Sequence, residues 1–325
     1  MTAARPSTLG GRRLLGRIGA RLAGAVFVLW AVVTVTFFAI RLIPGDPAQA
    51  YLGGPGSQAS TEALERVRVE YGLDQPLLVQ YASQLGRLAQ GDLGVSASQR
   101  TPVTQILGEQ LGGTLLLAVL ALIVAWLLAL GLTIWSTRGG RVSSAIGSGV
   151  ELVAASLPQF WLGTVLISLF STWLGWLPPV STGGAAGLVL PVLTLAIPVA
   201  GFLAQVMREP LLDAQSAPFA VSAAARGETR TGMLLRHGLR HASVPAVNLS
   251  GWAFGYLISG AVVVETIFAR PGLGRTLLQA VTVRDVPVVT GVVLVSALAY
   301  VIVLLIADAA AELLDPRDSR RRVTS

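Results

Sequence analysis

From residue 152 to residue 207 the chain runs 56 positions without one charged side chain. A helix crossing a hydrocarbon core of ~30 Å needs about 20 residues, so this stretch is too long for a single span and must fold back on itself. Its interruption is LGWLPPVSTGGAAG, residues 174–187, where Pro178, Pro179, Gly183 and Gly184 punctuate the helix. Two spans are expected, over 152–174 and 188–207. Pro158, Pro191 and Pro198 mark kinks, which membrane helices tolerate where neighbours satisfy the freed carbonyls.

The rest of the chain has the same character. It is 53% hydrophobic and only 13% charged, with a mean hydropathy of +0.68, which is the composition of an integral membrane protein. The net charge of +7 does not point to nucleic acid, because the arginines sit at the ends of apolar runs rather than on one face. There is no lysine and no cysteine. A Walker A site needs a lysine on the terminal phosphates, so the chain carries no standard ATP site of its own. Disulfides, thiolate metal sites and a cysteine nucleophile are excluded as well.

Five arginines and no acid precede the charge-free run 22–40, a positive flank followed by a span. The run is long for a signal-peptide core, so a retained signal-anchor helix is expected. Residues 41–110 form the long polar stretch. It opens with RLIPGDPAQAYLGGPG, which forbids regular structure, and then turns helical. Ser60 or Thr61 caps a helix with Leu64, Val67 and Tyr71 at helical spacing, and Gly72 stops it. Pro76 starts another, with Leu77, Leu78, Tyr81, Leu85 and Leu88 on one face and Gly91 as terminator. Thr101 and Pro102 repeat the start signal. The result is a small helical insertion, either a structural cap or a docking surface. Further spans are expected over 111–137, 242–264 and 286–307. A short interfacial helix should carry Leu273, Leu277, Leu278 and Val281. Gly251 and Gly255 form a GxxxG pair, read here as helix packing.

Six spans with both termini cytoplasmic put 16 arginines in the segments 1–21, 137–151, 208–241 and 308–325, against 3 in the short opposite loops. The division expected is 1–40 for the amino terminus and first span, 41–110 for the extracytoplasmic insertion, 111–310 for a five-helix core and 311–325 for a cytoplasmic tail. The segment 208–245 within the core faces the cytoplasm.

Catalytic and ion-coupling readings find few residues. His237 and His241 are four apart on a helical stretch, but Gly238 follows the first and no third histidine exists, so no metal site is expected. Glu151, Glu265 and Asp308 fall at span edges, where an acid reaches water or a headgroup, so no intramembrane proton relay is expected. Thr194, Gln205, Asn248, Ser250 and Ser259 lie inside spans, where they line a polar pathway or bond between helices. No GxSxG nucleophile occurs, and no cofactor site is expected.

Several strings, in order and spacing, carry a resemblance over almost the whole length. LIPGDPA at 42–48, YGLDQPLLVQY at 71–81, GDLGVS at 91–96, FWLG at 160–163, LGWLPP at 174–179, GAVVVETIFARPGLGR at 260–275, RDVPVVTG at 284–291 and LLDPR at 313–317 are the strings. The chain resembles the inner-membrane permease subunits of ABC importers of the oligopeptide, dipeptide and nickel class. That resemblance implies an all-α membrane protein with the type I importer permease fold, in the cell membrane of a prokaryote. It further implies a non-catalytic translocation subunit working by alternating access. Its partners would be two ABC ATPase subunits, a second homologous permease and an extracytoplasmic binding protein delivering solute near 41–110 and 265–285. The alternative is a secondary transporter or channel working without ATPases. The solute itself, a peptide, a nickel chelate or another small ligand, stays open.

The polar segment between the fourth and fifth spans is similar to the family's ATPase-coupling segment, a short helix seated in a groove of the ATPase. Gly227 matches the glycine of the general pattern and Ala223 its second alanine. Val221 stands where the pattern has glutamate, Ser222 where it has the first alanine, and Arg240 in place of the proline after Leu239. These departures resemble those of a subunit paired with a different permease. Small residues at 222–225 let a helix lie close on a partner, Gly227 lets the chain turn after it, and Phe219 is a plausible aromatic anchor. The residues expected to couple are therefore Phe219, Ser222, Ala223, Arg226 and Gly227.

Overall fold

The computed structural model describes residues 9–42, 45–52, 58–138, 140–181, 183–218, 220, 225–233, 236 and 238–314. Helix α1 is Leu9–Leu42, followed by the 3-10 helix Pro47–Leu52 and by α2 (Thr61–Glu70) and α3 (Leu77–Ala89). Then come α4 (Val103–Arg138), α5 (Arg141–Ser156) and α6 (Gln159–Leu166), the last continuing as a π-helix over Ile167–Trp173. Helix α7 is Ala186–Ser216 and α8 is Leu239–Ile267, with the single turn Arg230–Met233 between them. The short α9 (Leu273–Val283) and the long α10 (Val286–Leu314) complete the order.

Five of these helices are long and apolar enough to cross a membrane: α1, α4, α7, α8 and α10. The expected third span, 152–174, takes a different form. Helices α5 and α6 are bent by 103° at a short break, and pass as one span only if taken together. The break falls at Leu157 and Pro158, both extended. Proline lacks the N–H a continuing helix needs and biases the residue before it away from helix. Helix α7, by contrast, continues through Pro191, Pro198 and Pro210.

The chain divides into two compact units, Met1–Thr104 with Ala280–Val301, and Gln105–Gln279 with Ile302–Ser325. In the first, α3 lies along the carboxy-terminal end of α1. The hydroxyls of Thr34 and Tyr81 are 2.6 Å apart, Phe37 is fully buried, and Arg41 donates to Gln80 Oε1 at 2.7 Å while its guanidinium covers the Phe37 ring. Capping follows the sequence. The Ser60 hydroxyl accepts from Ala63 N, Pro76 precedes α3, and Gly91 leaves it with φ +79°. Of the apolar residues expected on one face of α3, Leu77 and Leu78 are 53% and 74% exposed. Asp285 caps α10 and is buried: its Oδ2 accepts from Ser96 Oγ, Ser98 N and Ser98 Oγ at 2.5, 2.9 and 2.8 Å.

In the second unit α7 is the centre. Two-thirds (67%) of its span is buried, against 28% for α4 and 39% for α8. One stripe of α7, Gly201, Gln205 and Arg208, lies on α5 at helical spacing. A Cβ on Gly201 would stand 2.6 Å from Ala155 N and 2.7 Å from Glu151 O, so only glycine admits this approach. Gln205 Nε2 donates to Glu151 O at 3.0 Å. Trp126 Nε1 donates to Ser250 Oγ at 3.0 Å, tying α4 to α8. Gln205 and Ser250 thus bond between helices, the second of the two roles open to them. Gly251 faces Leu304 and Ala307 within the same chain, which is a packing contact.

Candidate functional site

Three places in the structure gather chemistry-bearing side chains, and the segment expected to couple is the least completely described. Phe219, Ser222 and Ala223 lie outside the described residues, as do Val221, His237 and the side chain of His241. Arg226 is exposed, and Gly227 follows it with φ +80°, a left-handed conformation that glycine adopts without strain. Nothing lies within 4 Å of a Cβ built on Gly227, so the requirement is conformational and not steric. The Thr229 hydroxyl accepts from Gly232 N at 3.1 Å, and the carboxylate of Glu228 is 4.0 Å from Arg236. Ala220 and Met233 are buried on either side. The arrangement presents an exposed turn between buried ends.

Glu265 is the hub of the second place. It was expected at a span edge in contact with water, but it is 0% exposed. The Thr114 hydroxyl donates to its Oε1 at 2.5 Å and Arg275 N donates to its Oε2 at 3.1 Å. Thr114 Oγ1 also accepts from Leu273 N at 2.8 Å. Gly272 packs against the carboxylate so closely that a Cβ would collide with it. Arg270 is buried too; it donates to Ser181 Oγ at 3.0 Å and Gly113 O at 3.5 Å, leaving its Nε without a partner among the described residues. Arg275 donates to Ala269 O at 2.9 Å, and Ala269 itself has φ +47°. A buried carboxylate therefore organises the whole ETIFARPGLGR turn, answering the rule that buried charge must be paired or hydrogen-bonded.

Glu151 corrects the sequence expectation in the same way. It too is 0% exposed, held by the Ser136 hydroxyl at 2.9 Å and by Arg208, whose Nη1 is 3.6 Å from Oε2. Arg208 donates further to Ser144 O and Oγ at 3.1 and 2.5 Å. Asp308 lies outside the described side chains. Both buried acids escape sequence reading because the groups that cover them come from other helices. The one available signal is the glycine pattern: Gly201 opposite Glu151, and Gly272 and Gly274 just after Glu265.

The third place is a cavity of about 710 Å³ in the first unit, lined by both polar and apolar side chains, Arg41, Arg68, Tyr51, Tyr71, Arg87 and Asp92 among them. Asp46 Oδ2 accepts from Arg68 at 2.6 Å, and Arg68 also pairs with Glu65. The rings of Tyr51 and Tyr71 lie 4.0 Å apart. Burial, with the charge of Asp285 behind it, pushes the Tyr51 phenol up to about 12. None of these groups makes a nucleophile and base pair; the cavity can bind but shows no means to react.

Residues 128–320 match the family described as binding-protein-dependent transport system inner membrane component, and residues 14–118 match the amino-terminal part of such components. The glutathione transport system permease protein GsiC of Salmonella choleraesuis (strain SC-B67) is 36% identical over 299 residues, covering 91% of this chain and 96% of that protein. Its namesake in Escherichia coli (strain K12) is 35% identical over 303 residues with the same coverage. Among solved structures, inward-facing conformations of the MetNI methionine ABC transporter align with a TM-score of 0.53 at 16% identity, covering 65% of this chain and 97% of that one. That likeness speaks to the fold.

Proposed function

This chain belongs to the family of binding-protein-dependent transport system inner membrane components, and on that premise we propose that it carries short peptides or glutathione-like solutes inward through the membrane. It is the membrane-embedded translocation subunit of an ABC importer, and family membership brings with it ATPase subunits and a solute-binding protein. The observation that carries the solute class is similarity over nine-tenths of the chain to permeases named for glutathione, a tripeptide with two carboxylates.

The finer parts of the reading rest on the residues. Both termini face the cytoplasm, supported by the 16 arginines gathered in the segments on that side. The segment 41–110 is then outside, and 208–245 inside. The subunit is non-catalytic and borrows its ATP chemistry, in keeping with a chain that has no lysine for a Walker A site. A second, different permease completes the pathway, in keeping with the departures at Val221 and Arg240. Phe219, Ser222, Ala223, Arg226 and Gly227 form the coupling contact, with Gly227 turning the chain back after the helix. ATP binding closes the partner ATPases and drags that contact, opening the spans outward; hydrolysis resets them.

Purification of the tagged chain in mild detergent tests the assembly. Two ATPases and a second permease are expected to accompany it, with ATP hydrolysis stimulated by loaded binding protein. Uptake of peptide by the chain alone, without ATPases or ATP, would instead make it a secondary transporter. Gly227→Asp tests the coupling contact: membrane insertion should persist while uptake and ATPase stimulation are lost, and unimpaired uptake rejects the assignment.

A further inference from the structure

The cavity of the first unit has an unbalanced inventory of hydrogen-bonding groups. Its volume of about 710 Å³ is in the range that holds small-molecule ligands. Four arginines line it, Arg41, Arg68, Arg87 and Arg284, against two acids, Asp46 and Asp92. Three of the four are already engaged, Arg284 among them. Arg41 is engaged by Phe37 O, Gln80 and the Phe37 ring, and Arg68 by Asp46 and Glu65. Arg87 differs: among the described residues its guanidinium makes no hydrogen bond or ion pair, although it sits on the wall of the cavity. The hydroxyls of Tyr51 and Tyr71 likewise have no hydrogen-bond partner among the described residues, and their paired rings supply an apolar wall. Three uncommitted donors therefore line one cavity, all of them on well-formed local structure. Arg87 belongs to the last turn of α3, Tyr51 to the 3-10 helix and Tyr71 to the cap of α2.

A guanidinium and two phenolic O–H groups are complemented by a group that only accepts and carries negative charge. A carboxylate has that chemistry, and its bonds to arginine are among the stronger ones available. A tyrosine phenol is protonated, and so a donor, at neutral pH. We propose that this cavity is a solute site on the insertion between α1 and α4, in which Arg87, Tyr51 and Tyr71 receive the carboxylate of a short peptide. That the carboxylate belongs to a peptide rests on the import reading above; the carboxylate chemistry rests on the cavity. The site gives the insertion a role of its own in holding solute outside the membrane.

The test uses the assembled transporter in lipid nanodiscs without its binding protein, and the probes are trialanine, trialanine amide and glutathione. Equilibrium dialysis should show trialanine and glutathione binding, with the amide weaker by at least about tenfold, the loss of one charge-assisted pair. Arg87→Ala should cost trialanine at least about tenfold, Arg87→Lys should recover part of that, and Tyr51→Phe should give a smaller loss. Arg66→Ala, which changes an exposed α2 residue paired with Glu62, should match the unaltered chain. Equal binding of trialanine and its amide, no binding of either acid, or an Arg87→Ala affinity unchanged from the parent would overturn the proposal. So would an Arg87→Ala that weakens capture of the binding protein but not of trialanine, since the cavity would then be a protein-docking surface. ATP-driven uptake into proteoliposomes, measured in parallel, separates the two readings. Arg87-dependent binding without any peptide uptake sinks the import of peptides and keeps the site; peptide uptake with Arg87-independent binding does the reverse.

Discussion

The hydroxyl of Thr114 donates to Glu265 Oε1 at 2.5 Å and in the same position accepts from the backbone N–H of Leu273 at 2.8 Å. One side chain on α4 thus joins a buried carboxylate to the first residue of α9. Thr114→Val keeps the shape and removes both bonds, leaving a buried charge and a buried N–H short of partners. The expected loss is about 3 kcal/mol, since orphaning a charged buried acceptor costs more than the usual hydrogen bond. Thermal unfolding in detergent should show it, and Thr114→Ser, which keeps the hydroxyl, should recover most of the stability. Equal melting of the valine and serine variants would mean that the hydroxyl does not organise this turn.

Gly274 serves the same turn by its size. A Cβ there would stand 2.5 Å from Val262 Cα and 2.6 Å from Val262 N, both backbone atoms of α8 that have no rotamer to yield. Gly274→Ala should therefore destabilise by about 1–3 kcal/mol, the usual cost of overpacking. Gly112→Ala is the matched control: nothing lies within 4 Å of its Cβ, and in the middle of α4 alanine should stabilise by up to about 1 kcal/mol. The yield of folded protein from membranes, read by size-exclusion profile, orders the three proteins.

These two residues also mark where sequence reading stops. Ser60, Pro76 and Gly91 were legible because a cap or stop signal acts within one turn of its own residue, and the helices of the insertion begin and end where those signals stand. The helix Leu273–Val283 was legible from its apolar spacing. Glu151 and Glu265 were placed at the water's edge because sequence reports only how near a charge lies to the end of an apolar run. Their burial depends on Ser136, Arg208 and Thr114, which come from other helices. The bend between α5 and α6 was legible as a kink at Pro158 but not as a turn of 103°, since proline permits a break and packing sets its angle. Arg87 and its cavity were invisible for a related reason: an arginine on a solvated helix reads the same whether or not a cavity opens beside it.

Tyr51 gives a pH-dependent expectation. Its phenol holds its proton in the folded protein up to about pH 12, because burial first and the charge of Asp285 second oppose the phenolate. An unfolded tyrosine loses that proton near pH 10. The folded state therefore binds the proton more tightly. The stability this lends is fully present below about pH 10 and is lost as pH rises towards 12. Phenolate absorbance of the parent minus that of Tyr51→Phe should titrate in the higher of these two ranges; a difference curve centred near pH 10 would show Tyr51 to be solvated.

Arg208 and Glu151 carry the last expectation, and it distinguishes the pair from its separate charges. Their side chains are 16% and 1% exposed, and α7 meets α5 through them. Removing one partner strands the other charge in a low-dielectric site, so Glu151→Leu and Arg208→Met, made singly, should each cost about 3–5 kcal/mol. Replacing both together is a different matter. Burying two ions already incurs desolvation, so Glu151→Leu with Arg208→Met should fall near the parent, well short of the sum of the single losses. The Gly201 contact, which needs no charge, should still seat α7 on α5 in the double variant. A double-mutant cycle on melting temperature in detergent measures the coupling. Additive losses would mean that the two side chains act independently and that the helices are held by the glycine contact alone.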